Sequence, residues 1–478
     1  MQSTLTLQTS LYSFQQPAVD KLIKSRVGGL FMDMGLGKTR VAIELAYLRQ
    51  NRISNVVWFT LVSLKETVRY EILKHTDAQT NDIYVFGDRT SIKRLPAASW
   101  YIIGLESLSS SDRITLTANH IINENSFVIV DESSYIKGHT SKRTRRITAM
   151  AQRAKYRLVI TGTPMTQGVV DLFAQMRFLS EKILGYRSFY SFARNHLEYS
   201  KEHPGLIVRS HRTDYLAAKI APYVYQVTKE EAGINLPAKL FDARYHSLTR
   251  QQAEAYDEAK TWLLERMLEE DFDDDLYIFQ LFGALQQIVS GFWNKRFGPG
   301  DHRFYEYAET RSDLLMTTAS GIPAGEKCII WCKYRYSIAK LTGLLSAEYG
   351  ADAVATFYGD LSEVERNGEI ERWRQGARWL VATQSSGGHG LTLNEAAYAI
   401  YYENEFKWSH REQSEGRNHR IWQTRRPTYT DLWGNCGIER RIAKALAEKG
   451  DAADSFRREV KAAKDKSRKE LNRFMKAL

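Results

Sequence analysis

The sequence predicts an α/β protein: two parallel-sheet lobes, a helical insertion between them and a basic C-terminal helix. Three observations carry the prediction. Short β-branched and aromatic runs alternate with helical patterns over 28–179, and a second series of such runs spans 328–402. Runs of this kind, bounded by turn signals, mark strands buried on both faces of a parallel sheet. The chemically suggestive clusters fall directly after these runs, where α/β sheets place their ligands.

In the first lobe the strand candidates are 28–32, 55–59, 100–103, 127–130 and 157–160. From about residue 180 helical patterns dominate, as in 250–256 and 262–268, with an acidic run at 269–275 that reads as a solvated face or loop. The second lobe follows, with strands at 328–332, 353–357, 379–383 and 399–402. Helix is expected from Ile438 onward, with a break at Gly450. Residues 457–478 carry nine Lys/Arg against three Asp/Glu and read as a basic terminal helix. The expected boundaries are 1–180 for the first lobe, 181–312 for the insertion, 313–440 for the second lobe and 441–478 for the tail.

At 478 residues there is chain enough for about three ordinary domains. No long uncharged apolar run is present, so no membrane span is expected. Residues 1–13 lack a basic stretch followed by an apolar core, so no secretion signal is read there. Cys328, Cys332 and Cys436 have no zinc-ligand spacing; the first two lie in an apolar run and read as core thiols. Their state suits a reducing cytoplasm. The net charge of +11 favours a polyanionic partner.

The stretch Met34-Gly35-Leu36-Gly37-Lys38-Thr39, between a strand end and a helix start, has the form of a phosphate-binding loop. Its glycines let the backbone approach a polyphosphate, and the new helix N-terminus adds favourable dipole charge. Lys38 can reach the outer phosphates, and the Thr39 hydroxyl can ligate magnesium. Met32 stands where the usual pattern has its first glycine. Downstream, the strand 127–130 ends in Asp131-Glu132. Asp131 can hold magnesium and Glu132 can polarise an attacking water. The run 158–164 ends another strand in Thr161-Gly162-Thr163-Pro164, whose hydroxyls and N–H groups could bridge a nucleotide to a second ligand. Upstream, Phe14 and Gln15 offer a ring to stack on adenine and an amide for its edge.

Together these stretches resemble the Swi/Snf-like branch of the superfamily-two helicases. Residues 34–39 resemble its motif I, which tolerates the missing glycine; Gln15 resembles its Q-motif glutamine; Asp131-Glu132-Ser133-Ser134 resembles its DExH box. Residues 141–144 and 158–164, with Gln167 and 171–173, resemble the segment around motif III. Ser134 stands where the family often has His, a residue that couples the nucleotide site to the second lobe. The similarity spans Tyr12 to Ile442 and is weakest in the insertion.

The resemblance extends to the second lobe. Residues 413–423 resemble motif VI, and Arg417 and Arg420, three apart, would share a helix face. An arginine finger of this sort is worth about 10³–10⁵ in rate. Trp422 replaces the family Gly. Residues 382–393 resemble motif V, whose small residues let amides approach phosphate; Gly390 is assigned to the nucleotide side, Thr383 and Ser386 to DNA, and His389 to loop packing. The resemblance further implies backbone-phosphate contacts from Ser63 and Lys65 in motif Ia, Ser107 in motif Ib, Thr163 in motif III and Lys333 in motif IV. Arg209, His211 and Arg212 in the insertion are equally consistent with phosphate contact and with a solvated patch.

The fold implied is two RecA-like lobes with ATP–Mg²⁺ in the cleft between them. The implied activity is DNA-dependent ATP hydrolysis that moves the chain along duplex DNA without base specificity, in a bacterial cell or phage-infected host, with single-stranded DNA a further possible track and any protein partner unidentified. A strand-separating DNA or RNA helicase and a non-hydrolysing DNA-binding scaffold are the rivals. The first needs a wedge that the sequence does not reveal. The second sits poorly with an intact Lys38, Thr39, Asp131, Glu132, Arg417 and Arg420.

Overall fold

A computed structural model describes residues 5–162, 164–165, 168–200, 207–267, 274–298, 301–387, 391–450, 452 and 455. It divides into two compact units, Met1–Asn235 and Leu236–Leu478.

The first unit is built on a seven-stranded sheet. In chain order its strands are β1 (Val27–Met32), β2 (Asn55–Thr60), β3 (Ile83–Val85), β4 (Trp100–Gly104), β5 (Ser126–Asp131) and β6 (Tyr156–Thr161). A separate antiparallel ribbon of β7 (Leu197–Tyr199) and β8 (Ile207–Ser210) follows, and β9 (Val224–Val227) returns to the sheet. The order is β3-β4-β2-β5-β6-β1-β9, parallel throughout. Because helices cover both faces, strands such as β2 and β4 are buried along their length rather than alternating. That is why their apolar runs are legible in the sequence. The order also sets β5, β6 and β1 side by side, so the loops leaving them are neighbours.

The second unit has β10 (Leu240–His246), an antiparallel ribbon of β11 (Phe292–Gly298) and β12 (Asp301–Glu306), then β13 (Lys327–Cys332), β14 (Val354–Phe357), β15 (Trp379–Thr383), β16 (Ala396–Tyr401) and β17 (Thr428–Gly434). Its sheet runs β10-β17-β16-β13-β15-β14, again parallel. Strand β13 sends Cys328, Ile330 and Cys332 into one core and Ile329 and Trp331 into another, so both faces are packed. Cys328 and Cys332 are buried and free, as expected of core thiols, and Cys436 is buried and free as well.

The α/β class and the two parallel sheets agree with the sequence. Residues 181–312 do not form one helical insertion. Strand β9 completes the first sheet and β10 the second, so the span is divided between the units near residue 235. These strands escaped notice because they are short or polar: β10 is Leu-Phe-Asp-Ala-Arg-Tyr-His on an edge, with most of its residues exposed. Strand β17 was also missed, because Asp431 interrupts its apolar run. The helix expected from Ile438 is present as Gly437–Ala447. The basic run 457–478 lies outside the described residues, as does most of the acidic run at 269–275. Among the described residues no helix is long and apolar enough to cross a membrane.

Candidate functional site

In the first unit, β1 ends at Met32 and the helix Lys38–Arg49 begins after a five-residue turn. Gly35 and Gly37 have φ of 89° and 71°, the left-handed region that favours glycine. Gly37 is required for a second reason: a Cβ there would lie 2.4 Å from Gln15 Nε2. Gln15, 1% exposed, donates from Nε2 to Leu36 O (3.0 Å) and Gly37 O (3.4 Å), and its Oε1 accepts from Tyr12 N (2.9 Å). Gln15 therefore braces the loop from behind in this structure. Phe14 stacks on Tyr12, with ring centroids 5.5 Å apart and planes 6° from parallel.

Lys38 Nζ donates to Met32 O (2.8 Å) and Asp33 O (3.1 Å), capping the carbonyls at the strand end. Gly162, beyond β6, faces it: a Cβ there would sit 3.4 Å from Lys38 Nζ and 3.3 Å from Met34 Cγ. The missing side chain of Gly162 thus lets its backbone pack closely against Lys38 and Met34. A glycine loop, a lysine and a helix N-terminus are what a polyphosphate requires.

Asp131 closes β5, one strand beyond β6. Burial and the neighbouring Glu132 push its carboxyl up to about 6, against the pull of Lys38 and of the Glu132 N–H, which donates to Oδ1 at 3.0 Å. A carboxylate held at such a cost beside a lysine suits a site that receives a cation. The Asp131 carboxylate and the Thr39 hydroxyl are oxygen donors of the kind that Mg²⁺ takes. Glu132 has φ of 55°, a strained conformation for a non-glycine residue that costs about 1 kcal/mol or more. Its Oε1 accepts from Ser134 Oγ (3.2 Å) and Thr161 Oγ1 (3.3 Å). Behind it, fully buried Ser133 donates to Gln175 Oε1 at 2.6 Å. Gln175, also fully buried, donates to Pro164 O (2.8 Å) and Asp171 O (3.0 Å). The loops after β5 and β6 are therefore tied together twice, at Glu132–Thr161 and through Gln175.

The other first-unit candidates lie on adjacent loops after β2 and β4, joined by Leu105 N to Thr60 O (2.7 Å) and Val62 N to Glu106 Oε2 (2.9 Å). Ser63 is half-buried, and Ser107 opens the short helix Ser107–Ser110. Lys65 Nζ donates to Phe86 O at 2.5 Å, which directs its charge inward. Thr163 and Gln167 lie outside the described residues. Just after the ribbon, His211 Nε2 lies 3.0 Å from Glu198 Oε2 of β7.

In the second unit the helix Trp408–Asn418 ends before Arg420. Arg417 and Arg420 thus do not share a helix face, as the spacing had suggested. They converge instead on the end of the motif V segment: Arg417 Nη1 donates to Leu391 O (3.5 Å) and Arg420 Nη1 to Thr392 Oγ1 (3.0 Å). Thr383 is buried at the end of β15. Ser386 lies in the short helix Gln384–Gly387, while His389 and Gly390 are outside the described residues. Lys333 departs from expectation: Nζ donates to Gln286 Oε1 (2.7 Å) and lies 3.0 Å from the Phe406 ring centroid, so its charge is spent within the unit.

Two family models match this chain: a SNF2-related domain over residues 14–289 and a helicase conserved C-terminal domain over 312–422. The chain belongs to the SNF2-related family. A putative ATP-dependent helicase/translocase, YwqA of Bacillus subtilis (strain 168), is 25% identical over 322 residues, covering 62% of this chain and 32% of the relative. The human DNA annealing helicase and endonuclease ZRANB3 is 23% identical over 441 residues, covering 87% of this chain and 37% of the relative. This SNF2-related chain thus spans about a third of the length of these curated relatives. Among solved structures, the Sulfolobus solfataricus SWI2/SNF2 ATPase core in complex with dsDNA is 21% identical, with a TM-score of 0.43, covering 93% of this chain and 92% of that one.

The departures of this SNF2-related chain acquire physical content. Ser134, in place of the family His, bonds Glu132 directly. Trp422 has φ of 80°, which explains why glycine suits that position. The sequence reading missed Gln175, which looks like an ordinary polar residue among helical apolar ones. It also missed Arg411, buried under Tyr401 and bonded to Glu415 Oε1 (2.7 Å) and Asp431 Oδ1 (2.5 Å). Arg411 lay inside the motif VI helix, but its partner Asp431 is on another strand.

Proposed function

We propose that this chain is an ATP-hydrolysing motor that translocates on duplex DNA. The observation that supports the reading is the adjacency of β5, β6 and β1, which makes neighbours of the loops that carry Lys38, the glycines, Asp131 and Glu132. Family membership and the names of the relatives support ATP use and DNA as the track, and the +11 charge supports a polyanion.

In this reading the amides of 35–39 hold the β- and γ-phosphates of ATP, and Lys38 turns from the strand-end carbonyls to neutralise the outer ones. Thr39 and Asp131 would hold Mg²⁺, which when bound supplies charge neutralisation to the phosphates. Glu132, fixed by Thr161 and Ser134, orients the attacking water and accepts its proton. Phe14 is the proposed stacking partner of the adenine; Gln15, whose amide is taken up by the loop and by Tyr12 N, contributes by bracing the loop rather than by reading the base edge. The motif resemblance assigns Gly390 to the nucleotide. Arg417 and Arg420 supply positive charge to the transferring phosphoryl group, a role taken from the motif resemblance. Ser63, Ser107, Thr163, Thr383 and Ser386 are the proposed phosphate contacts on the DNA side; Lys65 and Lys333 contribute through the loops that they brace.

The test is steady-state ATP turnover at fixed low salt with no nucleic acid, single-stranded DNA, duplex DNA and RNA. Strong duplex stimulation is expected, and Lys38→Ala and Glu132→Gln should each lower turnover by at least about a thousandfold, with Glu132→Gln still binding ATP. Stimulation by single strands or RNA alone would replace the duplex reading by a strand-separating one. Normal turnover in Glu132→Gln would remove its assigned role.

A further inference from the structure

We propose that Trp422 is a stacking platform for an unpaired nucleobase. The proposal rests on the nucleic-acid half of the reading above, and it begins from a feature which that reading leaves unused.

Of the ten tryptophans, Trp422 alone is exposed, at 74%. Its backbone is in the left-handed region, φ 80°, where a bulky side chain is strained and glycine is at ease. Such strain persists only where the surroundings hold it, and here they do on both sides. Before it, Ile421 O accepts from Asn394 Nδ2 at 2.7 Å. After it, buried Gln423 donates from Nε2 to Asn394 O (3.0 Å), Asn418 O (3.0 Å) and Ala396 O (3.2 Å). The backbone that carries the indole is thus fixed on both sides, and the ring is turned to solvent, where it gains little by burial. Nothing in the folding of the unit accounts for a tryptophan there.

Its neighbours indicate the occupant. Arg420 precedes it, and exposed Arg425 and Arg426 follow. Arg420 is held by Gly416 O and Thr392 Oγ1, and Arg425 by Glu326 and Glu395 O, which leaves exposed Arg426, four residues on, as the cation offered to a phosphate, in a chain of net charge +11. A flat exposed ring in so basic a segment fits a planar group attached to phosphate. A base held in a duplex offers no free face, so an unpaired base is the ligand that matches. The braced backbone adds to affinity, because little loop freedom is left to lose on binding.

The experiment measures affinity of the full chain for a fluorescently labelled single-stranded oligonucleotide without ATP, together with quenching of the exposed tryptophan's emission. Wild type, Trp422→Phe and Trp422→Gly are compared. Trp422→Gly should bind about tenfold to a hundredfold more weakly, while Trp422→Phe keeps most of the affinity. Because glycine relieves the left-handed strain, Trp422→Gly should have a thermal midpoint equal to or above that of wild type, so weaker binding cannot be charged to misfolding. Equal affinity of wild type and Trp422→Gly overturns the proposal and leaves the motor reading standing. No binding of the single-stranded oligonucleotide by wild type overturns the proposal and leaves the duplex reading standing; no binding of a duplex oligonucleotide as well would remove the nucleic-acid half of that reading. Quenching by ATP alone, with none by the oligonucleotide, reassigns the ring to a mononucleotide and overturns the proposal as made. Capture of a protein surface that competes with no oligonucleotide does so too.

Discussion

The two units place charge in opposite ways. In the first, the charged groups that matter stand at strand ends with strained or glycine backbone around them: Lys38 beside Gly35 and Gly37, Asp131 pushed up to about 6, and Glu132 left-handed. In the second, the heaviest charges are sealed inside. Arg311 and Glu439 are 0% and 1% exposed by side chain, with Nη2 and Oε2 3.0 Å apart. Arg311 also donates from Nε to His246 Nε2 (2.9 Å) and from Nη1 to Ser290 Oγ (3.3 Å). The first arrangement spends stability to hold groups ready for a ligand. The second uses charge to fasten β10, the helix Arg311–Ser320 and the helix Gly437–Ala447 to one another. Buried charge in one chain therefore serves two ends, told apart by whether the counter-charge is already present.

The comparison can be broken most forcefully at Arg311. Arg311→Met leaves Glu439 buried without its partner and should cost about 3–5 kcal/mol, read as a lower denaturant midpoint. Adding Glu439→Leu should recover much of that loss. If Arg311→Met left the midpoint unchanged, the fastening role would be gone.

A smaller effect is expected at Gln175, which belongs to the first arrangement. Gln175→Leu strands the Ser133 hydroxyl, at about 1–3 kcal/mol of stability. It also frees the loop after β6 from the loop after β5, so kcat should fall about tenfold with KM for ATP little changed. Removing the hydroxyl as well, in Ser133→Ala with Gln175→Leu, should restore stability but not kcat. Recovery of both would reduce Gln175 to packing.

The gentlest test uses pH. His246 Nε2 accepts from Arg311, so the ring is neutral, and burial followed by the Arg311 charge lowers its pKa from 6.5 to about 3. Unfolded His protonates below about 6.5 while the folded ring does not, so the unfolded state holds the extra proton between those values. Stability should therefore fall as pH drops from about 6.5 toward 3, by at most roughly 1.4 kcal/mol per pH unit from this group. His246→Gln should flatten that part of a thermal-midpoint profile. An unaltered profile would mean that the ring is not held neutral.

The candidate site of the first unit was largely legible in the sequence. Its residues sit within a few positions of apolar strand ends, and a local pattern suffices to find them: 33–39 after β1, 131–134 after β5, 161–164 after β6. What was not legible joins distant positions. Gln175 meets Ser133 from 42 residues away and Arg311 meets His246 from 65. Nothing near either residue in the chain distinguishes it from a surface polar group.

The sequence by itself determined the α/β class, the strands buried on both faces and the glycine loop, because period, burial and φ preference are local properties that single residues express. It also placed Trp422 at a position that glycine suits. The tertiary structure decided which strands complete each sheet, since β9 and β10 are specified by the neighbours they pair with rather than by their own composition. It decided that Arg417 and Arg420 meet at the 391–392 segment rather than on a helix face, because the helix stops at Asn418. It also decided where Lys65 and Lys333 send their charge. A long flexible side chain takes the partner that folding brings within reach, and no spacing in the sequence records that choice.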